Sequence, residues 1–101
     1  MLTNKQKRFL RAEAHQVDPI FQVGKGGVNE AMIAQLNDVL EARELIKVKV
    51  LDNCFDSKED VATQIVEGTQ AQLVQLIGST IILYKESKKN KKIVLPIEGK
   101  K

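Results

Sequence analysis

Residues 20–29 read Ile-Phe-Gln-Val-Gly-Lys-Gly-Gly-Val-Asn. The apolar residues at 20–23 predict a short strand, and the glycines after them predict a tight loop. Asn29 is a favourable N-cap, and apolar residues recur at helical spacing beyond it, which predicts a helix over 30–43. The segment therefore predicts a strand, a glycine-rich loop and a helix N-terminus in succession.

The rest of the chain extends this alternation of helices and strands. Periodicity predicts a helix over 3–16, a half-buried strand over 44–51, a helix from Ser57 to about residue 69, and strands over 72–77 and 80–85. Gly78-Ser79 suits a two-residue type II′ hairpin turn. Helices between strands imply crossovers with parallel pairing, and the hairpin adds an antiparallel strand. We expect an α/β fold of order α-β-α-β-α-β-β, with a four-stranded mixed sheet and helices mainly on one face.

Length and composition narrow the class of protein. The chain has 101 residues, which predicts a single domain, placed over residues 1–97. The one cysteine excludes an intramolecular disulfide, and no apolar run approaches the length of about 20 residues that a membrane helix needs. The N-terminus lacks the apolar core of a secretory signal. We expect a cytoplasmic, monomeric protein without a membrane partner.

Charge is segregated along the chain. Residues 1–27 carry a net charge of +3, residues 28–82 carry −5 and residues 83–101 carry +5, although the total is only +3. This pattern predicts a polyanionic partner if the two basic ends meet in space. The alternative is that residues 86–101 are a flexible, solubilising lysine tail, in which residues 93–97 could pack back on the body.

The first predicted helix has a basic side. Its apolar residues fall on one arc and its basic residues on the other, namely Lys5, Lys7, Arg8, Arg11 and His15. Lys85, at the end of the last predicted strand, and Lys88 and Lys89 after it add further basic charge. Backbone contact with a nucleic acid is therefore expected from this helix and from the beginning of the C-terminal segment.

The loop Gly24-Lys25-Gly26-Gly27 carries the clearest chemical signal. Glycines allow a close approach of the backbone, and the helix N-terminus beyond them attracts anions such as phosphate. The loop matches neither the P-loop nor the dinucleotide fingerprint, but Gly-x-x-Gly is the pattern with which KH domains clamp a nucleic-acid backbone. A tight turn without a ligand remains the alternative.

Other side chains indicate little catalytic chemistry. Phe9 and Phe21 fall on core-facing positions, so recognition on an aromatic platform is not expected. Cys54 has no base placed near it by sequence, and one histidine with one cysteine predicts no metal site. His15 either hydrogen-bonds a helix-end carbonyl or contacts RNA. We therefore expect neither an enzyme nor a cofactor.

Taken together, these segments resemble a known family. Leu2-Thr3-x-Lys5-Gln6, Leu10-Arg11, Ala14-His15 and the glycine loop are similar to the CRM domain, named for chloroplast RNA splicing and ribosome maturation. Residues 44–50, 75–78 and 83–84 match it further on. The resemblance covers residues 2–97 and is to the stand-alone bacterial YhbY-type member.

The resemblance implies a fold similar to the C-terminal domain of translation initiation factor three. It also implies RNA binding and association with precursors of the large ribosomal subunit. Gly24, Lys25, Gly26 and Gly27 would contact RNA, flanked by Lys5, Arg11 and His15. One departure is Gln70, which stands where the family often has glycine and would have to adopt a backbone conformation that glycine prefers.

Two other functions stay open on the residues alone. The acidic middle of the chain could make the protein an adaptor that docks a basic ribosomal protein on the ribosome. An enzyme that acts on a phosphorylated small molecule at the glycine loop has less support, because no acid–base or nucleophile set is visible.

Overall fold

The computed structural model of the chain describes residues 2–89 and 93. Its helices and strands follow the predicted order, which is confirmed: α1 (Asn4–Ala14), β1 (Phe21–Val23), α2 (Glu30–Arg43), β2 (Leu45–Val50), α3 (Lys58–Thr69), β3 (Gln72–Ile77) and β4 (Thr80–Tyr84).

The strands form one four-stranded mixed sheet, as expected, and their order across the sheet is β1-β2-β4-β3. β1 is parallel to β2, and β4 is antiparallel to both β2 and β3. Ile77 pairs with Thr80, so Gly78 and Ser79 form the turn. Gly78 has a φ of +56° and Ser79 has no positive φ, which agrees with the predicted type II′ turn.

The two crossover helices share one face of the sheet. The connections β1-α2-β2 and β2-α3-β3 both progress in the same direction across the sheet, and right-handed crossovers then place both helices on the same side. Their buried residues and those of the sheet form the larger core, which includes Leu36, Leu40, Ile46, Val48, Val61, Ile65, Ile81 and Leu83.

α1 lies on the opposite face of the sheet. Leu10 and Ala14 pack with Leu45, Ile82 and Tyr84 in a second, smaller core. The amide of Leu2 donates to Gln72 Oε1 at 2.8 Å, which ties the start of the helix to β3. The alternation of β2 predicted a solvated face here, and α1 covers part of it.

Each helix begins at a capping residue. The Asn29 side chain accepts from the Met32 amide at 2.8 Å, and the Ser57 hydroxyl accepts from the Asp60 amide at 3.1 Å. Thr3 and Gln6 form a reciprocal capping box on α1. These caps place the start of α2 directly after the glycine loop.

The chain after β4 is held by two carboxylates at the end of α2. Glu41 accepts from the Ser87 hydroxyl at 2.8 Å and from the Lys89 amide at 2.9 Å. Buried Glu44 accepts from the amides of Ser87 and Ile93 at 2.8 and 2.7 Å. The beginning of the predicted tail is therefore tied to α2. Residues 90–92 and 94–101, over which a flexible tail or back-packing was expected, lie outside the described residues.

Candidate nucleic-acid interface

The glycine loop is a closed turn with an open tip. The Gly27 amide donates to the Gly24 carbonyl at 2.9 Å, and Gly27 has a φ of +68°, which favours glycine. A side chain at Gly26 would meet no atom within 4 Å, and Lys25 is exposed. A ligand can therefore reach the backbone of the tip next to the Lys25 ammonium group.

The other side of the loop packs against residues 51–57. A Cβ built on Gly24 would lie 3.2 Å from Asn53 Oδ1, and one on Gly27 would lie 3.5 Å from Asp56 Oδ2. The Leu51 amide donates to the Val23 carbonyl at 2.8 Å. The two loops thus lie side by side, and one of them brings a carboxylate close to the glycines.

A basic hollow lies on the α1 face of the sheet. Arg11 and His15 line a cavity of about 180 Å³ together with Lys47, Gln75, Ile77, Thr80 and Ile82. Val23 pairs with Val50, and Lys49 pairs with Thr80, so the glycine loop and the beginning of β4 lie toward the same end of the sheet. Arg11, His15 and Lys47 therefore line one hollow. This hollow lies toward the end of the sheet that carries the glycine loop.

The other predicted residues of α1 lie nearer its beginning. Lys5 and Arg8 are exposed and Lys7 is half-buried. Because the start of α1 is tied to Gln72, at the beginning of β3, these three side chains lie toward the end of the sheet away from the glycine loop. Their contact with RNA stays a prediction.

Lys85 lies on the other face of the sheet, apart from the α1 residues. Its ammonium donates to the Thr69 carbonyl at 2.7 Å and to Asn37 Oδ1 at 3.4 Å. A cation at this place satisfies a carbonyl at the end of α3, which has no basic residue in its last turn. Lys88 and Lys89 have exposed side chains, while their backbone amides are bound to Glu41.

The electrostatics of the molecule shift the pKa of two groups near the end of β4. The hydrogen bond from the Ser87 hydroxyl, with those from the Lys89 and Lys88 amides, lowers the pKa of the Glu41 carboxyl. Burial raises the pKa of the Tyr84 phenol, and Glu44 and Glu86 raise it further. Both groups lie in the region that holds the C-terminal segment.

His15 and Cys54 show no catalytic arrangement in the described part of the chain. His15 follows α1 as its C-cap and has an exposed side chain, and Cys54 is half-buried beside the larger core. Residues 2–89 and 93 contain no group of three or more His, Cys, Asp or Glu side chains that could hold a metal ion. Within the same residues, none of the helices has the length and apolar character needed to span a membrane.

Sequence reasoning missed two features of this surface. The alternation in the half-buried strand predicted over 44–51 places Lys47 on the solvated face, but its side chain is half-buried in the hollow that α1 forms with the sheet. Alternation along β2 places Lys47 opposite the larger core, and no local signal shows which helix covers that face. Phe55 is the second feature: its side chain is 83% exposed in the loop beside the glycines.

Comparison with known proteins identifies the family. The CRS1 / YhbY (CRM) domain model matches residues 2–85. The Bacillus subtilis protein named "Probable RNA-binding protein YqeI" is 67% identical over 96 residues, which cover 95% of this chain and all of the relative. A Haemophilus influenzae protein named "RNA-binding protein" is 39% identical over 94% of this chain and 95% of its own length.

A solved structure agrees with the fold as well as with the sequence. The solution structure of the hypothetical protein SAV1595 from Staphylococcus aureus superposes with a TM-score of 0.78, at 61% identity, over 95% of this chain and 100% of that one. These matches in sequence and in fold cover most of the chain, and the chain belongs to the CRS1 / YhbY (CRM) domain family.

Proposed function

We propose that this protein is a non-catalytic RNA-binding factor that associates with precursors of the large ribosomal subunit. The observation that carries the proposal is the open tip of the glycine loop, where the Gly26 backbone is accessible beside the exposed Lys25. The names of its relatives support RNA as the class of ligand.

In this proposal the protein binds the RNA backbone at two adjoining places. The tip of the loop offers Lys25 and accessible backbone to one phosphate, just before the N-terminus of α2. Arg11, His15 and Lys47 offer positive or hydrogen-bonding groups to the phosphates that follow. Such contacts fix the position of the RNA without reading its sequence.

The ribosomal part of the proposal rests on the family resemblance. A compact domain that neutralises rRNA phosphates could hold an immature segment until the mature contacts form. The protein would act in the cytoplasm, as a monomer, on large-subunit rRNA or its precursor.

A salt series with wild type and Lys25→Glu tests the RNA-binding proposal. If about four phosphates are neutralised, the logarithm of affinity for a single-stranded rRNA fragment should fall against the logarithm of salt with a slope of about −2.8. Lys25→Glu should bind much more weakly at each salt concentration. Arg43→Glu, the same reversal in the last turn of α2 and so remote from the loop, is the matched control. Equal binding by wild type and Lys25→Glu would remove the loop from the function.

A groove beside the edge strand favours a second function, the adaptor. Leu73 and Leu76 of β3 and Val66 of α3 line a cavity of about 440 Å³, with Glu59 and Glu67 also in its lining. Its apolar floor and acidic residues suit a basic segment of a ribosomal protein. The adaptor predicts that recruitment to pre-ribosomal particles survives RNase treatment and the Lys25→Glu change. Loss of recruitment on RNase treatment would reject it.

A further inference from the structure

Phe55 is the one aromatic side chain among the described residues that faces solvent. It is 83% exposed, whereas Phe9 and Phe21 pack against the two cores and Tyr84 is buried. The burial of an exposed phenyl ring against another apolar or aromatic surface is favourable. A ring that is exposed on a binding surface is therefore suited to contact with a ligand.

The loop that carries Phe55 adjoins the glycine loop. Asn53 and Asp56, on either side of Phe55 in sequence, are the residues whose side chains contact the positions of Gly24 and Gly27. Phe55 therefore projects from a segment in direct contact with the proposed phosphate-binding turn.

Hydrogen bonds anchor this segment on both sides of the ring. The Leu51 amide donates to the Val23 carbonyl at 2.8 Å, and the Cys54 amide donates to the Leu51 carbonyl at 3.1 Å. Cys54 packs against the larger core, and Ser57 caps α3. Phe55 thus lies between two residues that are attached to the body of the protein. The conformation of the loop therefore holds its ring outward.

The charges around the ring favour a neutral group over a phosphate. Asp52 and Asp56 are exposed neighbours in the same loop, and Lys25 is exposed on the adjoining one. A second phosphate near Phe55 would meet two carboxylates, whereas the face of a nucleobase carries no net charge. A nucleotide with its phosphate at Lys25 and its base toward Phe55 fits both environments.

We propose that Phe55 stacks on an unpaired base of the RNA whose backbone is bound at the glycine loop. The inference rests on the proposed RNA-binding function and adds the class of RNA: a single strand, bulge or loop, whose base can leave the helical stack, rather than a continuous duplex. It differs from a platform of several aromatic residues, because one ring takes one base and reads no sequence.

Two variants test the inference on the full chain. Phe55→Ala should bind a single-stranded oligonucleotide about tenfold more weakly, within the range that stacking on one base contributes, and should bind a duplex of the same sequence like wild type. Phe55→Trp should keep the affinity of wild type. The chain has no tryptophan, so this variant carries a single fluorescent reporter, which stacking should quench.

Ala42→Trp supplies the matched control for fluorescence. Ala42 lies in the last turn of α2 and is also exposed, so it gives a single tryptophan away from the glycine loop. Its emission should not change on RNA binding. Replacing the contacted nucleotide by an abasic one should abolish the difference between wild type and Phe55→Ala.

The outcomes separate this inference from the function on which it rests. If Lys25→Glu loses RNA binding while Phe55→Ala binds single strands like wild type, the stacking inference is wrong and the RNA-binding function stands. Equal losses of single-strand and duplex binding in Phe55→Ala, with an unchanged circular dichroism spectrum, would also overturn stacking. If wild type binds no RNA, both proposals fail.

Discussion

Among the described residues, two glycines and two residues with side chains have positive backbone φ angles. Gly27 and Gly78 adopt them at no steric cost, whereas Gln70 adopts a φ of +64° as the C-cap of α3 and Glu44 a φ of +68° after α2. For Gln70 the expected glycine-like conformation is confirmed. Its side chain offsets part of the strain, because its amide donates to the Glu67 carbonyl at 2.8 Å.

Gln70→Gly should stabilise the protein by about 0.5–1 kcal/mol, because glycine removes the left-handed strain and loses only one exposed hydrogen bond. Gln70→Ala should destabilise it, since alanine keeps the strain and loses the bond. Urea unfolding of both variants and wild type measures these differences. If Gln70→Gly proves less stable than wild type, the hydrogen bond to Glu67 outweighs the strain.

At the scale of elements, the two faces of the sheet carry different kinds of basic residue. On the α1 face, Arg11 and Lys47 line an open hollow. On the other face, the ammonium of Lys85 is bound to Thr69 at the end of α3. Basic residues that are alike in sequence are therefore available to a ligand on one face and engaged in the fold on the other.

Arg11→Gln should weaken binding to single-stranded RNA and make the salt slope shallower by about 0.7, the value for one lost phosphate contact, with little change in stability. Lys85→Met should leave RNA binding unchanged and lower the free energy of unfolding by about 1 kcal/mol, because the Thr69 carbonyl loses its donor. Salt-dependent binding and urea unfolding measure the two effects. The reverse result, with RNA binding lost in Lys85→Met alone, would place the interface on the other face.

Local signals predicted the elements, and long-range contacts decided where they lie. Periodicity, caps and the Gly78 turn indicate each helix and strand, because they depend on residues a few positions apart. The strand order and the side of the sheet that α1 covers depend on contacts between distant residues, such as Leu2 with Gln72. The glycine loop is therefore predictable as a candidate, whereas the half-buried position of Lys47, the bond of Lys85 to Thr69 and the exposure of Phe55 are not.

For the whole molecule, the last described residues pack against the N-terminal region of the chain. Ile93 packs against the smaller core that Leu2 and Leu10 of the N-terminal region also form. The same segment is hydrogen-bonded to Glu41 of α2 and to Glu44, which directly follows α2. The basic helix α1 and the beginning of the basic C-terminal segment are thus parts of one packed structure.

Acid should weaken the attachment of this segment. The folded pKa of Glu41 is lowered, so the stability that its hydrogen bonds contribute is present above the unfolded pKa of about 4.3 and is lost as the pH falls through the folded value. Hydrogen exchange at the Lys88 and Lys89 amides, which donate to Glu41, should accelerate relative to the rest of the chain as the pH falls through the lowered pKa of Glu41. Glu41→Gln should remove most of this pH dependence.

Asp38→Asn, a change at another carboxylate of α2, is the control for Glu41→Gln. Asp38 is exposed and lies one turn earlier in the helix. Its variant should keep the acid sensitivity of wild type. Acid sensitivity that persists unchanged in Glu41→Gln would assign the effect to other groups.

The attachment at Glu44 has a consequence for any shortened form of the protein. The family model ends at residue 85, before Ser87 and Ile93, whose amides donate to the buried carboxylate of Glu44. A fragment that ended at residue 85 would lack two of the hydrogen-bond donors to the buried Glu44 carboxylate. Removing donors from a buried carboxylate lowers the stability of the fold. The contacts of the fold extend beyond the residues that the family model matches, so fragments, fusions and affinity tags should preserve the chain through residue 93.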